Sequence, residues 1–227
     1  MRFTGSVWLA VALLLGGPVG AFAQKDQAAR ILNSVSVFED IMRAPDRAIP
    51  GALLAKADAV VVFPGTLQGG FVVGAHRGHG IFSVRDRKTN AWSPPAFMSM
   101  TGGSFGAQIG IEEVDVILIV MNPKGVENLV RNQFKIGADA GVAGGPVGRN
   151  AEASTDIQMR AEILSYSRTR GLFAGATLKG SAITADEDAN KAFYGRRLTT
   201  TQIVFEGVGA TEEPVPVWLA LLKKYFQ

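Results

Sequence analysis

Gly144 to Gly180 reads GGPVGRNAEASTDIQMRAEILSYSRTRGLFAGATLKG, and the parsing of this stretch decides the fold. A Gly-Pro turn opens it, and Glu162–Ser167 alternates in the manner of a strand. Arg168–Gly171 is a basic turn, and Leu172–Leu178 reads as a second strand returning beside the first. Arg149, Arg168, Arg170 and Lys179 stud these turns and strand ends. The chain as a whole has 27 glycines, spread through short apolar runs rather than gathered in a linker. Glycine inside strands marks bends, bulges or close backbone approach. Short glycine-bent strands therefore predict an α+β domain: a strongly curved antiparallel sheet or partial barrel, with helices packed on it.

The flanking segments fit that frame. Ala28, Ile31, Leu32, Val35, Phe38 and Met42 recur at helical spacing before Pro45, and a short helix is expected after Pro50. Ala59–Phe63, Gly70–Gly74, Gly80–Arg85, Ala96–Thr101, Gly103–Ile111 and Val114–Met121 read as six short strands, with a polar turn at Asp86–Asn90. A short helix is expected around Val126–Arg131, and strands at Phe134–Gly144 and Thr199–Phe205. Asp186, Glu187 and Asp188 place negative charge at the start of a helix running through Tyr194, and Pro214 and Pro216 open a terminal helix, Val217–Phe226.

Two motifs in the stretch carry a resemblance. Gly145-Pro146-Val147-Gly148-Arg149-Asn150 and Ser167-Arg168-Thr169-Arg170-Gly171-Leu172-Phe173-Ala174-Gly175 closely resemble the SYLF domain. The likeness extends from Ala28 to the C-terminus, through Ile49–Pro64, Gly69–Gly80 and Lys191–Gly195. The resemblance implies a non-catalytic module. Relatives of this type bind phosphoinositides and related anionic lipids, partly through a basic amphipathic helix at the N-terminus, and some bind actin filaments. Here the corresponding helix balances Lys25, Arg30 and Arg43 against Asp26, Glu39 and Asp40, so it is amphipathic without being basic.

Residues 1–23 read as a signal peptide, with Arg2 ahead of the apolar Val7–Leu15 and Ala21-Phe22-Ala23 as the cleavage site. The domain would then occupy residues 24–227. With no cysteine in the chain, disulfides, thiolate nucleophiles and zinc–thiolate sites are excluded. From these features we expect an exported bacterial member, periplasmic or secreted and peripheral to a membrane of the cell envelope. The formal net charge of +3 is too small for the concentrated basic footprint of a nucleic-acid binder.

Catalytic motifs fare poorly. Gly102-Gly103-Ser104-Phe105-Gly106 matches a nucleophile elbow, but Ala107–Ile111 alternates like a strand where a helix is required, and both histidines precede Ser104. His76 and His79 fall short of a metal set and fit a polar hairpin end. Glu112, Glu113 and Asp115 fit a polar hairpin tip. No enzyme, metal or cofactor is expected. The function read from the sequence is an anionic-lipid module, with an envelope protein scaffold as alternative, a serine hydrolase using Ser104 as a remote one, and actin as a remote partner.

The anion contacts are assigned to Arg149, Arg168, Arg170 and Lys179, since guanidinium forks match phosphate oxygens. Arg149 and Arg170, inside tight turns, are expected to be structural; Arg168 and Lys179, at strand ends, are expected to be available. Such cations supply about 1 kcal/mol each at an anionic membrane. Tighter binding would need inserted apolar side chains, for which Phe38, Ile41, Trp218 and Phe226 are the candidates.

Overall fold

The computed structural model describes residues 19–44, 48–131, 134–147, 161–169, 172–175, 180–209 and 211–227. The first helix, α1 (Val19–Arg43), is followed by a single turn of helix, α2 (Gly51–Leu54), entered at Pro50. Two long strands come next, β1 (Ala59–Val84) and β2 (Ala96–Val120). They pair antiparallel from Ala59 opposite Val120 to Phe82 opposite Ala96. The six short strands expected from the sequence are thus segments of two. Pairing carries through the glycines, with register shifts at Phe63/Thr66 and Gly70/Val72 that bend the ribbon without ending it.

The bend brings β1 back onto itself. A methyl group on Gly80 would lie 2.2 Å from the Val62 carbonyl oxygen, and one on Gly78 would lie 2.4 Å from the Thr66 hydroxyl. Only glycine allows that approach. The outer edge of β2 is then shared between two partners. Strand β5 (Ile163–Thr169) pairs with Val114–Val120, and β7 (Ala182–Ala185) pairs with Met98–Thr101. Strand β6 (Leu172–Gly175) returns antiparallel to β5, β4 (Val142–Gly144) runs parallel to it, and β3 (Phe134–Lys135) pairs with β7. The result is an α+β fold around a strongly curved, half-barrel sheet that is antiparallel except at β4, flanked by N- and C-terminal helices.

Helices cover both faces. Val60, Val62, Ile117, Ile119 and Tyr166 face a core built with α1 and the terminal helix α6 (Val215–Tyr225). Val61, Phe63, Val116, Leu118 and Val120 face a second core with α3 (Pro123–Val130) and α5 (Thr200–Glu206). Burial on both faces explains why Ala59–Phe63 and Val116–Val120 are unbroken apolar runs. Helix caps follow the sequence chemistry. Asn122 accepts from the Gly125 amide at the start of α3, and Asp186 caps α4 (Glu187–Tyr194) by accepting from Ala189.

Several expectations are corrected. Thr199–Phe205 is not a strand: Thr199 and Gln202 form a capping box that starts α5. Phe134–Gly144 contributes only the short β3 and β4. His76 and His79 lie within β1, and Glu112, Glu113 and Asp115 within β2, so neither group forms a hairpin end. That end is the Asp86–Ala91 turn, closed by the Asp86 amide donating to the Ala91 carbonyl at 2.8 Å. Among the described residues no helix is long and apolar enough to cross a membrane.

Candidate functional site

Arg168 is the one expected anion contact among the described residues; Arg149, Arg170 and Lys179 lie outside them. Its position at the end of β5 places it opposite Asp115 of β2. Nε donates to the Asp115 carboxylate at 2.6 Å, and Nη1 donates to Asp40 of α1 at 2.5 Å. Burial works against the guanidinium charge, but the two carboxylates outweigh it and raise its pKa. Asp115 also accepts from the Gly65 amide at 2.8 Å. Gly65 sits at φ +61°, and a side chain there would strike Glu113. Arg168 therefore ties α1, β2 and β5 together instead of standing free at a strand end.

A second network joins α1 to α4. Asp186 accepts from Arg30 Nη1 at 3.1 Å and lies 3.2 Å from His79 Nδ1, while the Ser99 hydroxyl lies 3.2 Å from the same nitrogen. Burial pushes the Asp186 carboxyl up, yet the Ala189 amide, Arg30 and His79 together hold it below the usual aspartate value. His76 Nε2 and the Ser181 hydroxyl are 2.8 Å apart, a serine–histidine contact with no sequence signal. Ser181 has no exposed surface, so no substrate reaches it. Burial lowers the His76 pKa from 6.5. Ser104 lies in β2 opposite Gly74, and the strand continues to Val120, which removes the nucleophile-elbow reading. Among the described residues no group of histidine and carboxylate side chains is placed to hold a metal ion.

Phe38 and Ile41 are fully buried, as is Trp218, and Phe226 is 2% exposed. The apolar side chains expected to insert into a membrane are therefore core residues. Trp92 of the hairpin end packs edge-on against Phe226, with ring centroids 4.8 Å apart. That contact places the last turn of α6, with the exposed Lys223 and Lys224, beside the hairpin. The same end carries the exposed Lys56, Arg87 and Lys88, and the half-buried Arg85. Sequence reading treated Asp86–Asn90 only as a polar turn. The available signal was the density of basic residues at Arg85, Arg87 and Lys88 around that turn.

Residues 101–225 match the family model described as Ysc84, Las17-binding protein actin regulator. The chain belongs to this family. The SYLF-type resemblance is thereby sustained, and the module is a non-catalytic lipid- or protein-binding domain. SH3 domain-containing YSC84-like protein 1 of Homo sapiens is 31% identical over 198 residues, covering 87% of this chain and 56% of the human protein. Protein YSC84 of Saccharomyces cerevisiae is 30% identical over 185 residues, 80% of this chain and 39% of the yeast protein. LAS seventeen-binding protein 3, from the same yeast, is 31% identical over 185 residues, 80% of this chain and 40% of its own length. The chain thus spans about half the length of the human relative and two-fifths of the yeast ones.

These relatives correct the expected location. They are eukaryotic proteins named for YSC84 and Las17, and the family description is that of an actin regulator. The assignments to an exported bacterial protein, the periplasm, a secreted state and the cell envelope are overturned. Those assignments rested on the composition of residues 1–23, of which 1–18 lie outside the described residues; Val19–Ala23 are helical and continuous with α1. Actin, expected only as a remote partner, stands in the description of the family itself.

Proposed function

We propose that this module binds anionic lipid surfaces through its cationic hairpin end. The observation that carries this reading is the gathering of Lys56, Arg85, Arg87, Lys88, Lys223 and Lys224 where Trp92 meets Phe226. Asp58 and Asp86 are the carboxylates of the hairpin end, and Asp58 is taken by Arg87. Of the nearby acids of α1, Glu39 pairs with Arg43 and Asp40 with Arg168. Arg168 belongs to the scaffold in this reading, whereas Arg149, Arg170 and Lys179 are proposed as additional contacts.

Lys56, Lys88, Lys223 and Lys224 supply roughly 4 kcal/mol at an anionic surface, which is about millimolar affinity. Val217, 44% exposed on the same helix as Lys223 and Lys224, adds apolar contact. Co-sedimentation with phosphatidylglycerol and phosphatidylcholine vesicles tests the reading. Binding to the anionic vesicles alone, lost as salt is raised, is expected. Indifference to anionic vesicles at low salt would sink it.

The family description favours a second reading, an actin-regulatory protein partner. Co-sedimentation with actin filaments, in a protein that ignores vesicles, would favour that partner over lipid.

A further inference from the structure

A cavity of about 480 Å³ opens between α2 and the hairpin end, lined by Lys56, Arg85, Arg87 and Asn90 with Leu53 and Met121. Its charges are unevenly matched. Arg87 is paired with Asp58, whose side chain is 5% exposed, and its Nη2 donates to the Lys56 carbonyl at 3.3 Å. Arg85 meets only neutral acceptors: Nη1 donates to the Ala55 carbonyl at 2.9 Å and Nη2 to Asn90 Oδ1 at 3.1 Å. Arg85 Nε is buried and has no hydrogen-bond partner. Lys56 is exposed and makes no ion pair with a described residue. The lining thus carries three cations. Arg87 is offset by Asp58, which stands outside the lining and whose buried Oδ2 has no hydrogen-bond partner. Lys56 and Arg85 pair with no carboxylate of a described residue, and one buried donor still lacks an acceptor. A buried N–H without a partner is destabilising, and an acceptor that reaches it is correspondingly favoured.

The geometry points to this cavity as a binding site for a phosphate monoester. A monoester carries about −1.5 to −2 charge at neutral pH and presents three acceptor oxygens, which balances the surplus from Lys56 and Arg85. A diester brings about half that charge and leaves the surplus unmatched. Guanidinium and ammonium donors on one wall suit the phosphate, while Leu53 and Met121 provide an apolar wall for the carbon skeleton that bears it. A volume within the usual 300–1,000 Å³ of small-ligand sites admits more than an inorganic ion. On the lipid reading, on which the source of the phosphate rests, the monoester arrives as an exposed headgroup. A soluble organic phosphate offers the same chemistry.

Vesicles containing phosphatidic acid, a monoester, are compared with phosphatidylglycerol vesicles, a diester, adjusted to equal surface charge. Glycerol 3-phosphate serves as the soluble probe, read by calorimetry. We expect at least a tenfold preference for phosphatidic acid, reduced several-fold by Lys56→Gln and by Arg85→Gln. Because Arg85 also holds the Ala55 carbonyl, its variant is read only at a melting temperature equal to that of the parent; Lys56 is exposed, and its variant tests the pocket without that condition. Lys223→Gln with Lys224→Gln should weaken binding to both vesicles and leave the preference unchanged. The preference should shrink between pH 7 and pH 5, because the second phosphate proton returns near pH 6. The charged groups lining the cavity are Lys56, Arg85 and Arg87, with Asp58 behind Arg87 and Asp86 on the adjoining turn as the neighbouring carboxylates. Glycerol 3-phosphate binding without vesicle binding would support the pocket and overturn the lipid reading. Equal binding to both vesicle types, with no response to glycerol 3-phosphate, would overturn the pocket and leave the lipid reading standing. A preference untouched by Lys56→Gln would also overturn the pocket.

Discussion

Asn190 shows how much a single side chain holds at the residue scale. Its Oδ1 accepts from the Phe97 amide at 2.8 Å and its Nδ2 donates to the Phe97 carbonyl at 3.2 Å, fastening α4 to the edge of β2. The Phe97 carbonyl keeps the Asp186 amide at 2.9 Å, but the buried Phe97 amide loses its acceptor, so Asn190→Ala should cost about 1–3 kcal/mol, read as a lowered denaturation midpoint. Arg168→Gln should likewise destabilise the fold, by about 1–3 kcal/mol, because Asp115 loses its cation. Vesicle binding by the folded fraction should not change, and a selective loss of lipid affinity would contradict the clamp. His76 gives a pH signature. Burial lowers its folded-state pKa below 6.5, so the unfolded chain takes up the proton first. Stability should therefore fall as pH drops from about 6.5 toward the folded value and change little from this source above that window. His76→Gln should flatten that segment of a melting-temperature profile.

Element by element, the terminal signals were legible wherever their chemistry is local. Asn122, Asp186 and Pro214 announce helices because each acts on amides or torsions within one turn. Thr199 and Gln202 send the same kind of signal, yet the β-branched run Thr199–Thr201 and Ile203-Val204-Phe205 suggested a strand. The capping box and burial of Ile203 and Val204 against the sheet decide for helix. Thr199→Ala should cost about 1 kcal/mol, a shift of about 2–4 °C in melting temperature for a chain of this size. The strand ribbon is less forgiving. Gly80→Ala would press a methyl group to 2.2 Å from the Val62 carbonyl, so the variant should lose several kcal/mol or fail to accumulate as folded protein. Normal thermal stability in that variant would refute the folded-back path of β1.

For the whole molecule, charge has been sorted by position. The net charge of +3 gives no hint of a cationic face, because acids elsewhere are consumed by clamps such as Arg30–Asp186 and Arg168–Asp40. At the hairpin end the cations outnumber the acids, so vesicle binding should weaken steadily with ionic strength. Lys223→Glu with Lys224→Glu should abolish it while shifting the melting temperature little, since exposed substitutions usually change stability by less than about 0.5 kcal/mol. Vesicle flotation beside a thermal melt checks both halves.

The sequence alone determined the α+β class, the curved glycine-bent sheet, the flanking helices and the family, because periodicity, caps and turn chemistry act over a few residues. It also indicated which runs are buried. The tertiary structure decided that six strand segments are two long strands, since pairing across bulges depends on a partner strand whose residues lie from about fourteen to about sixty positions away. It decided that Arg168 is a clamp, because Asp40 and Asp115 are distant in sequence and meet it only after the sheet has curled. It also assembled Lys56, Arg85 and Arg87 around one cavity. Local patterns record what a residue does with its neighbours in the chain. Which charges remain unspent is set by contacts made across the fold.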